Sequence, residues 1–131
     1  MKDVQFGVYP DFVCGSRVFC VAMNKKGNLL ACGLENGEVQ IWDYLQCVKV
    51  ATIPAHSKTV SGICFSNDGL SLFSSSYDTT SKQWLLKDNS LLKSFEGHAC
   101  ECCCVVELSD GKSIISGSKE LIMHNVIDGS I

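Results

Sequence analysis

The sequence predicts an all-β fold of consecutive four-stranded antiparallel sheets, about three in number with the last incomplete, and three observations carry that expectation. Gly27, Gly69 and Gly111 are spaced by a constant 42 residues, a step that also relates His56 to His98 and Trp42 to Trp84. Columns such as Val21/Ile63/Val105 and Leu30/Leu72/Ile114 stay apolar under the same shift, as an internal repeat requires. Within each step, short β-branched and aromatic runs alternate with Gly, Asp and Asn turn residues. No stretch shows the 3.6-residue apolar period of an amphipathic helix.

The elements follow in order. Residues 1–16 form an amino-terminal segment with no clear strand pattern. The repeats span 17–55, 56–97 and 98–131. The first reads as strands over 17–24, 29–35, 38–44 and 49–53, with Asn36-Gly37 at its middle hairpin, a pair suited to positive φ at both central residues. The second reads as 60–66, 70–76, 81–86 and 91–95, with turns at Asp68-Gly69 and Asp78. The third offers 100–108, 112–119 and 121–127, then stops before a fourth strand. The copies align without insertion or deletion from Gly27 to Val126.

Of the 131 residues, 46% are apolar and 19% charged, enough apolar side chain to bury a core. The net charge is −3 and no basic cluster exceeds Lys25-Lys26, so the sequence predicts no direct sequence-specific nucleic-acid binding. The longest apolar runs, 18–23 and 102–106, are too short to cross a membrane, and the first residues lack a hydrophobic signal region. Neither secretion nor membrane insertion is expected. Nine cysteines, an odd number with four crowded at Cys100, Cys102, Cys103 and Cys104, fit a reducing compartment better than a disulfide framework.

That cysteine run beside His98 raises a zinc reading, since thiolate and imidazole are zinc's usual ligands. On a strand, however, Cys100, Cys102 and Cys104 share one face while Cys103 takes the other, and no second Cys-x-x-Cys completes a tetrahedron. Core packing is the expectation, with a metal-binding protein or cysteine-dependent enzyme as the alternative. No cofactor is expected. The glycine turns lead into strands rather than helices, so they read as hairpin punctuation and not as phosphate cradles. Trp42, Trp84 and Phe95 read as packing residues.

Four strands per repeat, a Gly-His or Ala-His before the first strand and a Trp or Trp-Asp in the third identify residues 17–131 as resembling the WD-repeat β-propeller family. The quoted motifs are Ala55-His56, Gly97-His98, Trp42-Asp43, Asp68-Gly69 and the run Ser74-Ser75-Ser76-Tyr77-Asp78. The resemblance implies a structural hydrogen-bond network of His, Ser, Asp and Trp within each blade. His56, Ser74, Asp78 and Trp84 supply all four in blade two. Blade three keeps His98 and Ser116, with Glu120 and Val126 at the other two positions. Blade one keeps Trp42, with Cys14, Cys32 and Asn36 at the rest. No catalytic residue is implied, and Ser74 lacks the exposed nucleophile turn that hydrolysis needs.

Propellers close with four to eight blades, so a longer propeller or a trimer of chains closing one ring is expected. The first two blades further resemble the WD-repeat subunit of COMPASS-type histone lysine methyltransferase complexes, over 27–31, Asn36-Gly37, 41–45, 51–56 and 81–84. That resemblance implies a nuclear, non-catalytic scaffold whose partners are proteins, methyltransferase-complex subunits among them. A cytoplasmic scaffold, a ubiquitin-ligase substrate adaptor or a trafficking component is the alternative within the same class.

Overall fold

A computed structural model describes residues 12–131. All its regular elements are strands, and they form three antiparallel sheets met in chain order. Sheet one holds β1 (Val18–Met23), β2 (Leu29–Leu34), β3 (Val39–Asp43) and β4 (Val48–Ile53). Sheet two holds β5 (Val60–Phe65), β6 (Ser71–Ser76), β7 (Ser81–Leu85) and β8 (Ser90–Phe95). Sheet three holds β9 (Cys104–Glu107), β10 (Ser113–Gly117) and β11 (Leu121–Asn125). Each strand pairs with the next, so every sheet is a meander. The 1–11 part of the amino-terminal segment lies outside the described residues.

The sheets stack face to face, β1 against β5 and β5 against β9. Ala31, Val39, Ile41 and Ile53 of sheet one meet Val60, Ile63 and Leu72 of sheet two. On sheet two's other face, Phe73 and Phe95 meet Val105 and Ile114 of sheet three. A strand presents alternate residues to opposite faces, so adjacent Leu72 and Phe73, both fully buried, enter different cores. This explains why β6 is buried at all six positions. Phe12 stacks on Trp42 with ring centroids 5.1 Å apart, closing part of sheet one's outer face.

Close approach of the sheets is permitted by a small residue in a repeated cross-strand pair. Cys20 faces Gly33, Gly62 faces Ser75 and Cys104 faces Gly117. A Cβ on Gly62 would sit 2.6 Å from Ser75 Oγ and 2.8 Å from the Cys104 Cα of the next sheet. Where the first strand carries cysteine the second carries glycine, and where the first carries glycine the second carries serine. The pair shares a fixed volume.

Three expectations are corrected. The hairpin at Asn36-Gly37 has positive φ at Gly37 alone, +92°, because Leu34 N–H bonds Glu38 C=O and the loop holds three residues rather than two. Ser76 N–H bonds Thr80 C=O in the same way, with Thr79 at φ +78°. The strand expected over 100–108 begins only at Cys104, since the Cys102 N–H goes across to Ser76 C=O of sheet two. Third, the repeats do not run to Val126 without deletion. Ser75 pairs with Ser81 in sheet two, whereas its counterpart Gly117 pairs with Leu121, so the third hairpin is two residues shorter. From there the structural step is 40: the Asn89 N–H to Leu85 C=O turn recurs as Gly129 N–H to Leu85's counterpart Asn125.

Candidate functional site

The densest polar cluster is in sheet two. Trp84 projects from β7 toward β6, where its indole Nε1–H donates to Ser74 Oγ at 3.0 Å. Ser74 Oγ lies 2.8 Å from His56 Nε2, and His56 Nδ1 lies 2.8 Å from Asp78 Oδ2. Asp78 is placed by the β6–β7 turn, in which its Oδ1 accepts from both the amide and the hydroxyl of Thr80. Such an Asx turn is the local reason for Asp at this position.

Burial lowers the pKa of His56 below its ordinary 6.5, outweighing the opposing pull of Asp78. The imidazole is therefore neutral at pH 7, and the contact with Asp78 is a hydrogen bond rather than an ion pair. Burial raises the pKa of the Asp78 carboxyl, but bonds from Thr80 and His56 outweigh it and hold the group below the usual carboxylate range. These states fix one direction of donation: Trp84 Nε1–H to Ser74, the Ser74 hydroxyl to His56 Nε2, and His56 Nδ1–H to Asp78. Every polar atom has a partner, which is what buried groups require. Ser74 is fully buried, so no substrate can reach its hydroxyl.

Blade three assembles half of this array. His98 Nε2 lies 2.7 Å from Ser116 Oγ, while His98 Nδ1 is buried with no partner. Glu120, expected at the Asp position, is exposed and bonds neither, because the shortened turn removes that position. Val126 is likewise not the counterpart of tryptophan. Ile114 pairs with His124 as Leu72 pairs with Trp84, so His124 holds the Trp register and donates through Nε2 to Glu96 C=O at 2.7 Å.

Blade one solves the same problem with a residue the sequence reading missed. Trp42 Nε1–H donates to Gln40 Oε1 at 3.2 Å, and Gln40 Nε2 donates to Cys14 C=O at 2.8 Å. Gln40 stands two residues before Trp42 on the same strand face, a placement legible from strand periodicity once Ser is known to be absent. Cys14 and Cys32 pack with Trp42 in an apolar cluster, and Asn36 turns outward to cap the Glu38 amide.

The cysteine run is not a core stripe. Cys102 is fully buried, whereas Cys103 and Cys104 are exposed and Cys100 is half-buried. The alternation argument fails because 100–103 is not strand. Burial pushes the Cys102, Cys20 and Cys64 thiols up to about 11 and Cys32 to about 12, which leaves them protonated. A thiolate nucleophile needs the opposite shift. Among the described residues, no group of three or more His, Cys, Asp or Glu side chains is placed to hold a metal ion. No helix of the described residues is long and apolar enough to cross a membrane.

Stacked four-stranded meanders, each tied by a buried polar chain from third strand to second, define the blades of a β-propeller. The WD domain, G-beta repeat family matches residues 10–43, 47–84 and 89–131, and the chain belongs to that family. It is 30% identical over 95 residues to Protein FIZZY-RELATED 1 of Arabidopsis thaliana, covering 72% of this chain and 20% of that protein. It is 39% identical over 72 residues to WD repeat and SOCS box-containing protein 1 of Homo sapiens, covering 53% and 17% respectively. Nuclear distribution protein PAC1-2 of Uncinocarpus reesii is 33% identical over 81 residues, covering 59% and 18%. The chain thus spans about a fifth of the length of these curated relatives.

Proposed function

We propose that the chain is part of a non-catalytic scaffold that binds other proteins. The observation that carries this reading is the closed state of the His56–Ser74–Asp78–Trp84 chain. The one arrangement resembling a hydrolytic triad has its serine buried, bonded on both sides and unreachable. What the blades leave accessible is loops and strand edges on a rigid frame, and protein binding is the physical use such a surface has.

The partner reading is narrower. The local resemblance over 27–31, Asn36-Gly37, 41–45, 51–56 and 81–84 supports a nuclear subunit of a histone lysine methyltransferase complex. A second reading, a scaffold coupled to a separate module such as the SOCS box of a ubiquitin-ligase adaptor, is supported by the 39% identity to a relative whose name joins WD repeats to that box. Affinity purification of the tagged protein from nuclear and cytoplasmic extracts separates them. A SET-domain methyltransferase with its WD-repeat companion is the expected nuclear partner. Ubiquitin-ligase subunits in its place would move the assignment to the second reading, and the absence of any stable protein partner would overturn the scaffold itself.

A further inference from the structure

Blade three contains a half-built polar chain with a depression over its open end. His98 is 8% exposed, its Nδ1 is buried without a partner, and Ser116 occupies its Nε2. The depression is lined by His98, Ala99, Cys100, Ser118, Lys119 and Glu120. In blade two the corresponding imidazole atom, His56 Nδ1, is met by the Asp78 carboxylate at 2.8 Å. The turn that delivers Asp78 comprises the five residues between Ser75 and Ser81, and its blade-three counterpart comprises the three between Gly117 and Leu121. Deleting two residues removes the carboxylate and opens the space above the imidazole together.

We propose that this depression is a carboxylate-binding site that receives an Asp or Glu side chain of a partner protein, completing in trans the chain that blade two completes in cis. An incoming carboxylate accepts from His98 Nδ1–H while the Ser116 hydroxyl donates to Nε2, the donation order of His56 and Ser74. Lys119 stands at the rim as a cation for the same group. Glu101 and Glu120 oppose it, but both are exposed, so solvent and salt weaken their repulsion. A buried, unpaired polar atom gains more from a partner than an exposed one does, because its desolvation has already occurred. The site deepens the scaffold reading and rests on it, since the carboxylate is taken to come from a protein.

The test is a titration of the isotope-labelled chain with a short blocked peptide containing one Asp, followed through the ring signals of His98, beside the same peptide carrying Asn. The expected result is a saturable shift of His98 with the Asp peptide and none with the Asn peptide. Grafting the Ser76–Thr80 segment in place of residues 118–120 should supply the carboxylate in cis and weaken peptide binding at least about tenfold. Removing the Asp carboxylate from that graft should restore binding. Equal response to Asp and Asn peptides, or peptide binding indifferent to the graft, would overturn the site. Acetate shifting His98 as strongly as the peptide at equal concentration would reduce it to simple anion binding and overturn the partner. A Glu120→Ala variant whose His98 signals move before any peptide is added would show that Glu120 fills the slot itself, which also overturns it. None of these failures affects partner recovery by affinity purification, so the scaffold reading stands or falls separately.

Discussion

Replacing Asp78 by alanine isolates the outermost bond of the blade-two chain. Four contacts are lost: His56 Nδ1–H at 2.8 Å, the Thr80 amide at 3.0 Å, the Thr80 hydroxyl at 2.6 Å and the Ser57 amide at 3.4 Å. The Thr80 and Ser57 groups lie toward solvent and can be rehydrated. The His56 side chain is fully buried, and its orphaned donor costs about 1–3 kcal/mol. Losing the Asx turn adds roughly 0.5–1 kcal/mol, for a total near 2–4 kcal/mol, a large share of an ordinary domain's stability. Urea unfolding followed by Trp42 and Trp84 fluorescence measures it. Asp78→Asn should recover part of the loss, because an amide oxygen still accepts from His56. Glu120→Ala in blade three is the internal control and should shift stability by less than about 0.5 kcal/mol, since Glu120 bonds neither His98 nor Ser116. A loss below that figure for Asp78→Ala, or loss of an enzymatic turnover at unchanged stability, would refute the structural role.

Other outcomes follow from the same geometry. Because His56 has its folded pKa lowered below 6.5, the unfolded chain binds the proton more readily, so stability is full above that pH and falls as pH drops through it. The lowered Asp78 pKa adds a second loss at more acidic pH, below its ordinary 3.8, and His56→Gln should flatten the first segment of a melting-temperature profile. Gln40→Ala should cost about 2 kcal/mol by leaving the Trp42 indole N–H and the Cys14 carbonyl unpaired, read by chemical denaturation. Gly62→Ala should cost about 1–3 kcal/mol, because its Cβ meets the backbone of the next sheet and backbone cannot step aside. Alkylation of the native protein, mapped by mass spectrometry, should modify exposed Cys103 and Cys104 before buried Cys32 and Cys102; the reverse order would contradict the burial pattern.

Sheet number, strand order and the blade-two chain were legible because they rest on spacing and on alternation, which the 42-residue step displays directly. What sequence reading missed lies where one column could be filled by two chemistries. Gln40 does the work of Ser74 from a different strand, and nothing in a glutamine at that position announces it without the tryptophan's unmet N–H. The two-residue deletion in the third hairpin was hidden because Glu120 and Val126 gave plausible entries in an ungapped register. A trace of it was present: the turn pair Asp88-Asn89 recurs as Asp128-Gly129, two residues early. The start of β9 was misplaced because four apolar-looking cysteines extend the strand pattern, while the backbone of Cys102 and Cys103 is drawn to Ser76 and Gly117 instead.

The central claim is that the Ser–His–Asp–Trp array is frame and not chemistry. Hydrogen exchange of the Trp84 indole Nε1–H, followed by NMR in D₂O, tests it most directly. The account predicts exchange slowed by roughly a thousandfold or more relative to a free indole, because the proton is released only when the blade opens, with protection lost in Ser74→Ala. A Trp84 indole exchanging at the free rate in the folded protein would leave Ser74 unbound and open to substrate, and would contradict it.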